Sequence, residues 1–302
     1  WSLWGQEFSQ ISTGPNYTDQ SFFNLAEGTE QRLPHQSWDL LFTTIGLQDA
    51  GIHLNEATAS SFAEPAPELR LFLAPVDDFA AEIDPDSLTQ RLYNDEASWL
   101  NGALNAPREA GNPFDFGWGV YEPSTNRVVG NRVFAIQLRS GAYKKFMIES
   151  LDGGAYQLKY ADLDGSGETT VSIPKGDDSG RRFAYFSFGD GLLEQAPVNW
   201  DLLFTRYVTP LDDGTGQLLD YVVTGVLSGY GVEVARMEGV DPTEVTAATP
   251  DSFSTRLDAI GYDWKEFDFQ GGWLLPEDLS YVVKDRSGEL YKLVFIDFEG
   301  SS

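Results

Sequence analysis

The chain has no cysteine among its 302 residues, so neither a disulfide framework nor a thiolate metal site is open to it. Histidine and methionine are nearly as scarce, at two each, which leaves few soft or imidazole donors for a metal or a haem iron. Positive charge is short as well: 20 basic against 47 acidic residues give a formal net charge of -27. Such a surface repels a phosphate backbone instead of releasing its counterions, so nucleic acid and anionic membranes are poor partners. The acidity fits a solvated surface that keeps a secreted protein soluble, or adaptation to high salt, where screening relieves self-repulsion. No apolar run approaches the roughly 18 residues expected of a membrane span. The first residue is Trp1 and not Met, the mark of a processed, trimmed or partial start, so any signal peptide lies outside view.

What the chain does have is aromatic and turn-rich. It carries 20 Phe, 13 Tyr, 8 Trp and 30 Gly, with 41% hydrophobic residues, a balance that suits strands and hairpins better than helical bundles. The sharpest feature is Trp38-Asp39-Leu40-Leu41-Phe42-Thr43, which returns unchanged as Trp200-Asp201-Leu202-Leu203-Phe204-Thr205. Neighbouring signals recur in the same order. Phe22 to Gly28 is echoed by Phe183 to Gly189, Pro85-Asp86-Ser87-Leu88 by Pro250-Asp251-Ser252-Phe253, and Trp118 with Tyr121 by Trp264 with Phe267. Arg139-Ser140-Gly141 returns as Arg286-Ser287-Gly288, so the chain is a tandem duplication.

The predicted class is all-β, with two tandem domains and a few short helices. The first spans 1–178 with a polar leader; the second spans 179–302, after a linker at Lys175 to Gly180. In the hexamer, Trp38, Leu40 and Phe42 fall on one strand face and Asp39, Leu41 and Thr43 on the other; apolar residues on both faces mark an internal strand. Ile52-His53-Leu54-Asn55 alternates, placing His53 and Asn55 outward. Pro85 opens a short helix capped by Asp86 or Ser87, and Ala97 to Ala106 is a further helical stretch. Trp118–Tyr121, Arg132–Leu138, Ala142–Ser150 and Tyr156–Tyr160 form a meander. In the second copy Tyr291-Lys292 aligns with Tyr143-Lys144, but nothing matches Tyr156 to Tyr160. Either the native chain continues past Ser302, or the second domain is truncated and exposes an edge open to self-association.

A Phe-rich strand ending in Asn24-Leu25-Ala26-Glu27-Gly28, the Trp-Asp-Leu-Leu-Phe strand, and the closing hairpins Ser140-Gly141-Ala142-Tyr143-Lys144 and Ser287-Gly288-Glu289-Leu290-Tyr291-Lys292 together resemble the HmuY family. The resemblance covers nearly the whole chain, and its motifs are structural. It implies an all-β fold on secreted or surface-anchored proteins of Bacteroidetes, many of which carry a type IX secretion sorting domain. The family's named member is a haemophore that holds haem between two side-chain ligands, histidine or, in some relatives, methionine.

The donors available here are His35, His53, Met147 and Met237. His35 reads as an exposed loop residue, Met147 and Met237 as core or rim packing, and the pair fitting haem best by residue type is His53 with one methionine. Asp162, Asp164 and Ser166 open like a calcium loop, but the twelfth position, where a bidentate Glu belongs, is Ile173, so a polar hairpin turn is the competing account. Asp39 and Asp201, each beside a Trp, suit hydrogen bonds from backbone or arginine better than acid–base work. With two histidines and no Gly-x-Ser-x-Gly elbow, His-Glu-x-x-His or phosphate loop, an enzyme has no anchor in the sequence. Trp1, Trp4, Trp99 and Trp273 remain as aromatics less tied to the repeat, open to stacking against a ligand. The expectation is a non-enzymatic, extracellular or cell-surface interaction or structural module; the alternative is a haem-binding protein for iron acquisition.

Overall fold

Runs of aromatic and β-branched residues broken by Gly, Asn and Asp turns favour short strands. The computed structural model describes residues 7–46, 49–59, 67–176 and 181–300; Trp1, Trp4 and most of the expected linker lie outside them. The first copy contributes β1 (Asp19–Asn24), β2 (Thr29–Pro34), β3 (Leu40–Thr43), β4 (Ile52–Leu54), β5 (Arg70–Leu73) and β6 (Arg91–Leu92). It continues with β7 (Gly119–Glu122), β8 (Arg127–Gly130), β9 (Phe134–Gln137), β10 (Tyr143–Asp152), β11 (Ala155–Ala161) and β12 (Thr169–Pro174). The second copy holds β13 (Phe183–Ser187), β14 (Gly191–Leu192), β15 (Leu202–Asp212), β16 (Leu218–Ser228), β17 (Glu233–Glu238), β18 (Glu266–Asp268), β19 (Gly272–Leu274), β20 (Leu279–Lys284) and β21 (Leu290–Leu293). The protein is all-β; helix among the described residues is confined to 3-10 turns at Pro15–Tyr17, Pro85–Ser87 and Ala103–Asn105.

Two of these turns revise the sequence reading. At Pro85 the cap is Asp84, whose carboxylate accepts the Asp86 amide at 3.0 Å, and the Ala97 to Ala106 stretch is helical only at Ala103–Asn105. The repeated Pro250-Asp251-Ser252 forms no helix. Thr249 stands there in place of Asp84, and its hydroxyl already accepts the Thr246 amide at 2.7 Å.

The two copies are interlaced. β1 of the first copy pairs antiparallel with the second hexamer strand β15, with Phe22 opposite Leu203. Reciprocally, β13 of the second copy pairs with the first hexamer strand β3, with Tyr185 opposite Leu41. One inner sheet runs β16-β15-β1-β2 and the other β14-β13-β3-β4. The outer sheets are unequal: β12-β11-β10-β9-β5-β6, with the β7–β8 hairpin joined through β8 to β10, against β17-β20-β21. β18 and β19 form a separate ribbon.

Cores shared between sheets give four layers. Leu40, Phe42, Ile52 and Phe186 pack with Phe134, Ile136, Phe146 and Leu158, joining one inner sheet to the larger outer sheet. Phe23, Leu202 and Val226 pack with Val234, Tyr281 and Val283, joining the other inner sheet to the smaller outer one. Between the inner sheets lie Phe22, Trp38, Leu41, Tyr185, Trp200 and Leu203. Both faces of each hexamer strand are therefore buried, which explains its unbroken apolar character. Trp38, however, shares its core with Leu41 and not with Leu40 and Phe42. The strand begins only at Leu40, so its alternation does not extend back to the tryptophan.

The central core has an approximate two-fold arrangement. Trp38 meets Tyr185 edge-on at 5.2 Å and Trp200 meets Phe22 edge-on at 5.4 Å, while Phe22 and Tyr185 meet at 6.2 Å. Such pairs add about 0.5–1.5 kcal/mol each beyond their buried area. The hexamer aspartates close the arrangement. Asp39 accepts the Phe188 amide at 2.8 Å and Asp201 accepts the Leu25 amide at 2.9 Å, each pinning the end of the other copy's Phe-rich strand. Arg139 lies 3.5 Å from Asp39 and Arg286 lies 3.9 Å from Asp201.

Cross-strand register also corrects the alignment at the chain's end. Leu138 donates to the Ala142 carbonyl and Asp285 to the Glu289 carbonyl, closing equivalent hairpins whose Gly141 and Gly288 both hold positive φ. Tyr143 faces Gln137 and Leu290 faces Lys284, so Tyr143 corresponds to Leu290 and Lys145 to Lys292. Met147 then corresponds to Val294.

Candidate functional site

His53 sits on β4 opposite Leu41, at the place Leu227 takes opposite Leu203 in the second copy. It is 2% exposed, not outward, because the four-layer stack buries both faces of this inner sheet. Asn55 is buried too, donating to the His35 and Trp38 carbonyls. His35 likewise is no exposed loop residue; it is buried with Nδ1 2.8 Å from the Thr18 carbonyl.

The His53 ring packs on Trp99 at 5.0 Å, and Nε2 lies 2.8 Å from the Trp99 carbonyl. A carbonyl can only accept, so Nε2 carries the proton. Desolvation holds the imidazole neutral, lowering its pKa to about 4 against weaker opposing effects from the Trp99 carbonyl and Asp95. A cavity of about 50 Å³ adjoins it, lined by Glu56, Asn94, Glu96, Trp99 and Tyr207 among others. That is room for one or two waters, while pockets for organic ligands start at about 300 Å³. Glu56 accepts the Asn94 amide at 2.8 Å and, across the copies, the Val208 amide at 3.1 Å. Desolvation pushes its pKa up to about 7 despite those bonds. The groups around the cavity thus tie strands together.

The proposed haem ligands are not brought together. Met147 packs half-buried with Phe79, Ile83 and Leu88 on the larger outer sheet, and Met237 with Val245 and Val282 on the smaller one. With His53 Nε2 engaged, and the adjoining cavity far below the size of a porphyrin site, these residues do not fit haem. Asp162, Asp164 and Ser166 form the turn between β11 and β12. The Ser166 hydroxyl donates to Asp164 at 2.6 Å, and the Lys144 ammonium donates to Asp162 at 2.6 Å. A lysine thus holds the first carboxylate a calcium ion would need. Among the described residues no three histidine or carboxylate groups converge as a metal site.

The surface that stands out chemically is at the far end of the second copy. On the β18–β19 ribbon Phe267 faces Trp273 across the strands, their rings 5.1 Å apart. Phe269, 95% exposed, meets Phe267 at 5.5 Å, and Trp273 meets Phe298 at 5.0 Å. Leu274 is exposed on the same ribbon, and Ile296 is 71% exposed on the segment after β21. Beneath it Lys265 donates to the Thr224 carbonyl at 2.6 Å and lies within 4.2 Å of the Trp264 ring centre and 4.7 Å of Phe298. Burial pulls its pKa down to about 8. Contiguous exposed aromatics of this kind mark interaction surfaces more often than isolated ones do. A smaller set, Leu218, Leu219 and Tyr221, is exposed at the tip of the β15–β16 hairpin.

Of this surface the sequence reading singled out Trp273. Phe269, Phe298 and Ile296 were missed, although the run Phe267-Asp268-Phe269-Gln270-Gly271-Gly272-Trp273 concentrates aromatics around a turn. Comparison with family models, curated proteins and solved structures finds no match.

Proposed function

We propose that the chain is a non-enzymatic β protein of the extracellular space or outer cell surface, acting as an interaction or structural module in the manner of HmuY-like relatives. The observation that carries this reading is the exposed apolar surface of Phe267, Phe269, Trp273 and Leu274 on the β18–β19 ribbon. Polar groups elsewhere that might have suggested chemistry are engaged in holding strands: Asp39 and Asp201 pin strand ends, and His53 and Glu56 bond backbone.

Two measurements test it. Fluorescence of the apolar dye ANS should fall in a Phe267→Ser, Phe269→Ser double variant whose far-UV circular dichroism is unchanged. Haem titration should give no saturable Soret shift that depends on His53. A one-to-one shift abolished in His53→Ala would replace this reading with haem binding.

A further inference from the structure

We propose that the outer edge of β16, from Leu218 to Thr224, pairs antiparallel with the same edge of a second molecule of this chain. The inference goes beyond the interaction-module reading and uses residues other than those of the β18–β19 ribbon.

The edge belongs to a length of hairpin that the first copy lacks. There the equivalent strands close at Phe42 opposite Ile52. In the second copy they run on from Phe204 opposite Val226 for eight further pairs, to Asp212 opposite Leu218. Where the two hairpins coincide, their outer edges are covered. The Ile52 amide donates to Asn105 Oδ1 at 3.0 Å and the Leu54 amide to Asn94 Oδ1 at 2.9 Å. Likewise the Val226 amide donates to the Gly261 carbonyl at 2.9 Å and the Ser228 amide to Leu257 at 2.7 Å.

Those bonds fix which backbone groups face the edge. Val226 and Ser228 turn their amides away from β15, as Thr224 turns its carbonyl toward Lys265. β16 follows β15 without a register shift, so every even-numbered residue along it presents its amide and carbonyl outward. At Val222 and Asp220 these groups have no partner among the described residues, and β16 ends its sheet. The side chains are apolar and exposed: Leu218 at 64%, Leu219 at 40% and Tyr221 at 58%. Asp220 is the single charged residue between Leu218 and Ser228. A long apolar edge with so little guarding it is a template for another strand.

Self-complementarity names the occupant. Two molecules related by a two-fold axis form ladder bonds when edge-facing residues of each lie opposite those of the other. An axis at Asp220 would set carboxylate directly against carboxylate, which is unfavourable. An axis at Val222 would bring Leu218 onto the partner's Val226, where Gly261 already bonds the backbone. An axis at Tyr221 avoids both. It sets Tyr221 against the partner's Tyr221, Leu219 against the partner's Val223, Asp220 against the partner's Val222 and Leu218 against the partner's Thr224. The sheet β16-β15-β1-β2 then continues through the axis into its copy.

Electrostatics and size set the strength. Each molecule carries a net charge of -27, and the two Asp220 carboxylates fall diagonally across the axis, on backbones about 7–8 Å apart. Salt screens such repulsion beyond about 8 Å at physiological ionic strength, so pairing should tighten as salt rises. Two seven-residue edges bury less than about 1,200 Å² in all, the size of a transient complex.

The test is sedimentation velocity on the intact chain over a concentration series at low and high sodium chloride, with hydrogen exchange read by mass spectrometry. Dimer should appear with concentration, tighten with salt and slow exchange at 218–224. Tyr221→Glu, at an exposed position, places two more carboxylates at the axis; it should abolish the dimer and leave the thermal midpoint of the dilute protein unchanged. Val222→Pro removes an edge-facing amide that is unpaired in the monomer, and should weaken dimerisation about 30-fold for two ladder bonds lost across the axis. Asp220→Asn should strengthen it. A chain that stays monomeric at millimolar concentration in high salt overturns the proposal, as does association that weakens as salt rises or a dimer that survives Tyr221→Glu. A dimer lost instead in the Phe267→Ser, Phe269→Ser variant would assign the contact to the ribbon and overturn it equally. A Soret shift dependent on His53 would refute the functional reading without altering exchange at 218–224, so the two failures are distinguishable.

Discussion

His53→Leu should make the protein less stable at neutral pH and more stable in acid. An unfolded histidine takes its proton near pH 6.5, whereas the buried His53 does so only near pH 4. Between those values the unfolded chain binds the extra proton, so His53 contributes stability above pH 6.5 that drains away as pH falls toward 4. At about 1.4 kcal/mol per pH unit the loss amounts to about 3 kcal/mol. Leucine is the residue the second copy places at this position, as Leu227, so the substitution suits the fold. It removes the 2.8 Å bond to the Trp99 carbonyl, at a cost of about 1–2 kcal/mol at pH 7.5. The wild type should therefore lead at pH 7.5 and trail at pH 4, the stability curves crossing at about pH 5.5. Urea unfolding at several pH values, followed by tryptophan fluorescence, measures the difference; taking it between the two proteins cancels the carboxylates they share. A wild-type-minus-variant difference that stays flat from pH 7.5 to 4 refutes the reasoning, as does a His53 imidazole titrating near 6.5 by NMR.

Removing the two hexamer aspartates should have unequal effects. Asp39→Ala strips a close partner from the half-buried Arg139 as well as the Phe188 amide, and should destabilise by about 3–5 kcal/mol. Asp201→Ala gives up chiefly the Leu25 amide, with Arg286 at 3.9 Å, and should lose about 1–3 kcal/mol; equal losses in guanidinium unfolding would contradict the geometry. Trp200→Ala should lower stability by about 3–5 kcal/mol. Because Trp200 packs on Phe22, Trp99 and Phe183 from both copies, that loss should appear as one shifted transition in calorimetry; a first-copy transition left at its original temperature would argue against interlacing.

The hexamer's internal position was legible because Leu40, Leu41 and Phe42 leave neither strand face polar, and the aspartates' role because a short acid beside a buried Trp has few other uses. Interlacing was not legible. With the hexamers identical, the sequence carries nothing to say whether Phe22 or Tyr185 lies opposite Leu41; only the three-dimensional register does. His53 was misplaced for a related reason: alternation sends a polar residue outward when one face is solvated, but here a second sheet covers that face and the Trp99 carbonyl satisfies the ring. The repeated Pro-Asp-Ser motifs diverge through the residue before them, since Asp84 is free to cap and Thr249 is already bonded. At the chain's end, matching Tyr-Lys to Tyr-Lys set the strands one residue out, because side-chain likeness competed with the hairpin bonds that fix register.

Identity of the two hexamers follows from what each must satisfy at once. Its odd and even residues face different cores, its aspartate pins a strand of the other copy, and its tryptophan packs against an aromatic ring of the other copy. A change in one hexamer must therefore suit the partner copy's strand as well as its own, which couples the two halves through their inner sheets. The outer sheets carry no such reciprocal constraint, and they are where the copies differ: one is broad and closed over by β11 and β12, the other ends at β21 beside an unattached aromatic ribbon. Among the described residues the exposed aromatics Phe267, Phe269 and Trp273 lie on that ribbon, away from the residues that the repeat made most conspicuous.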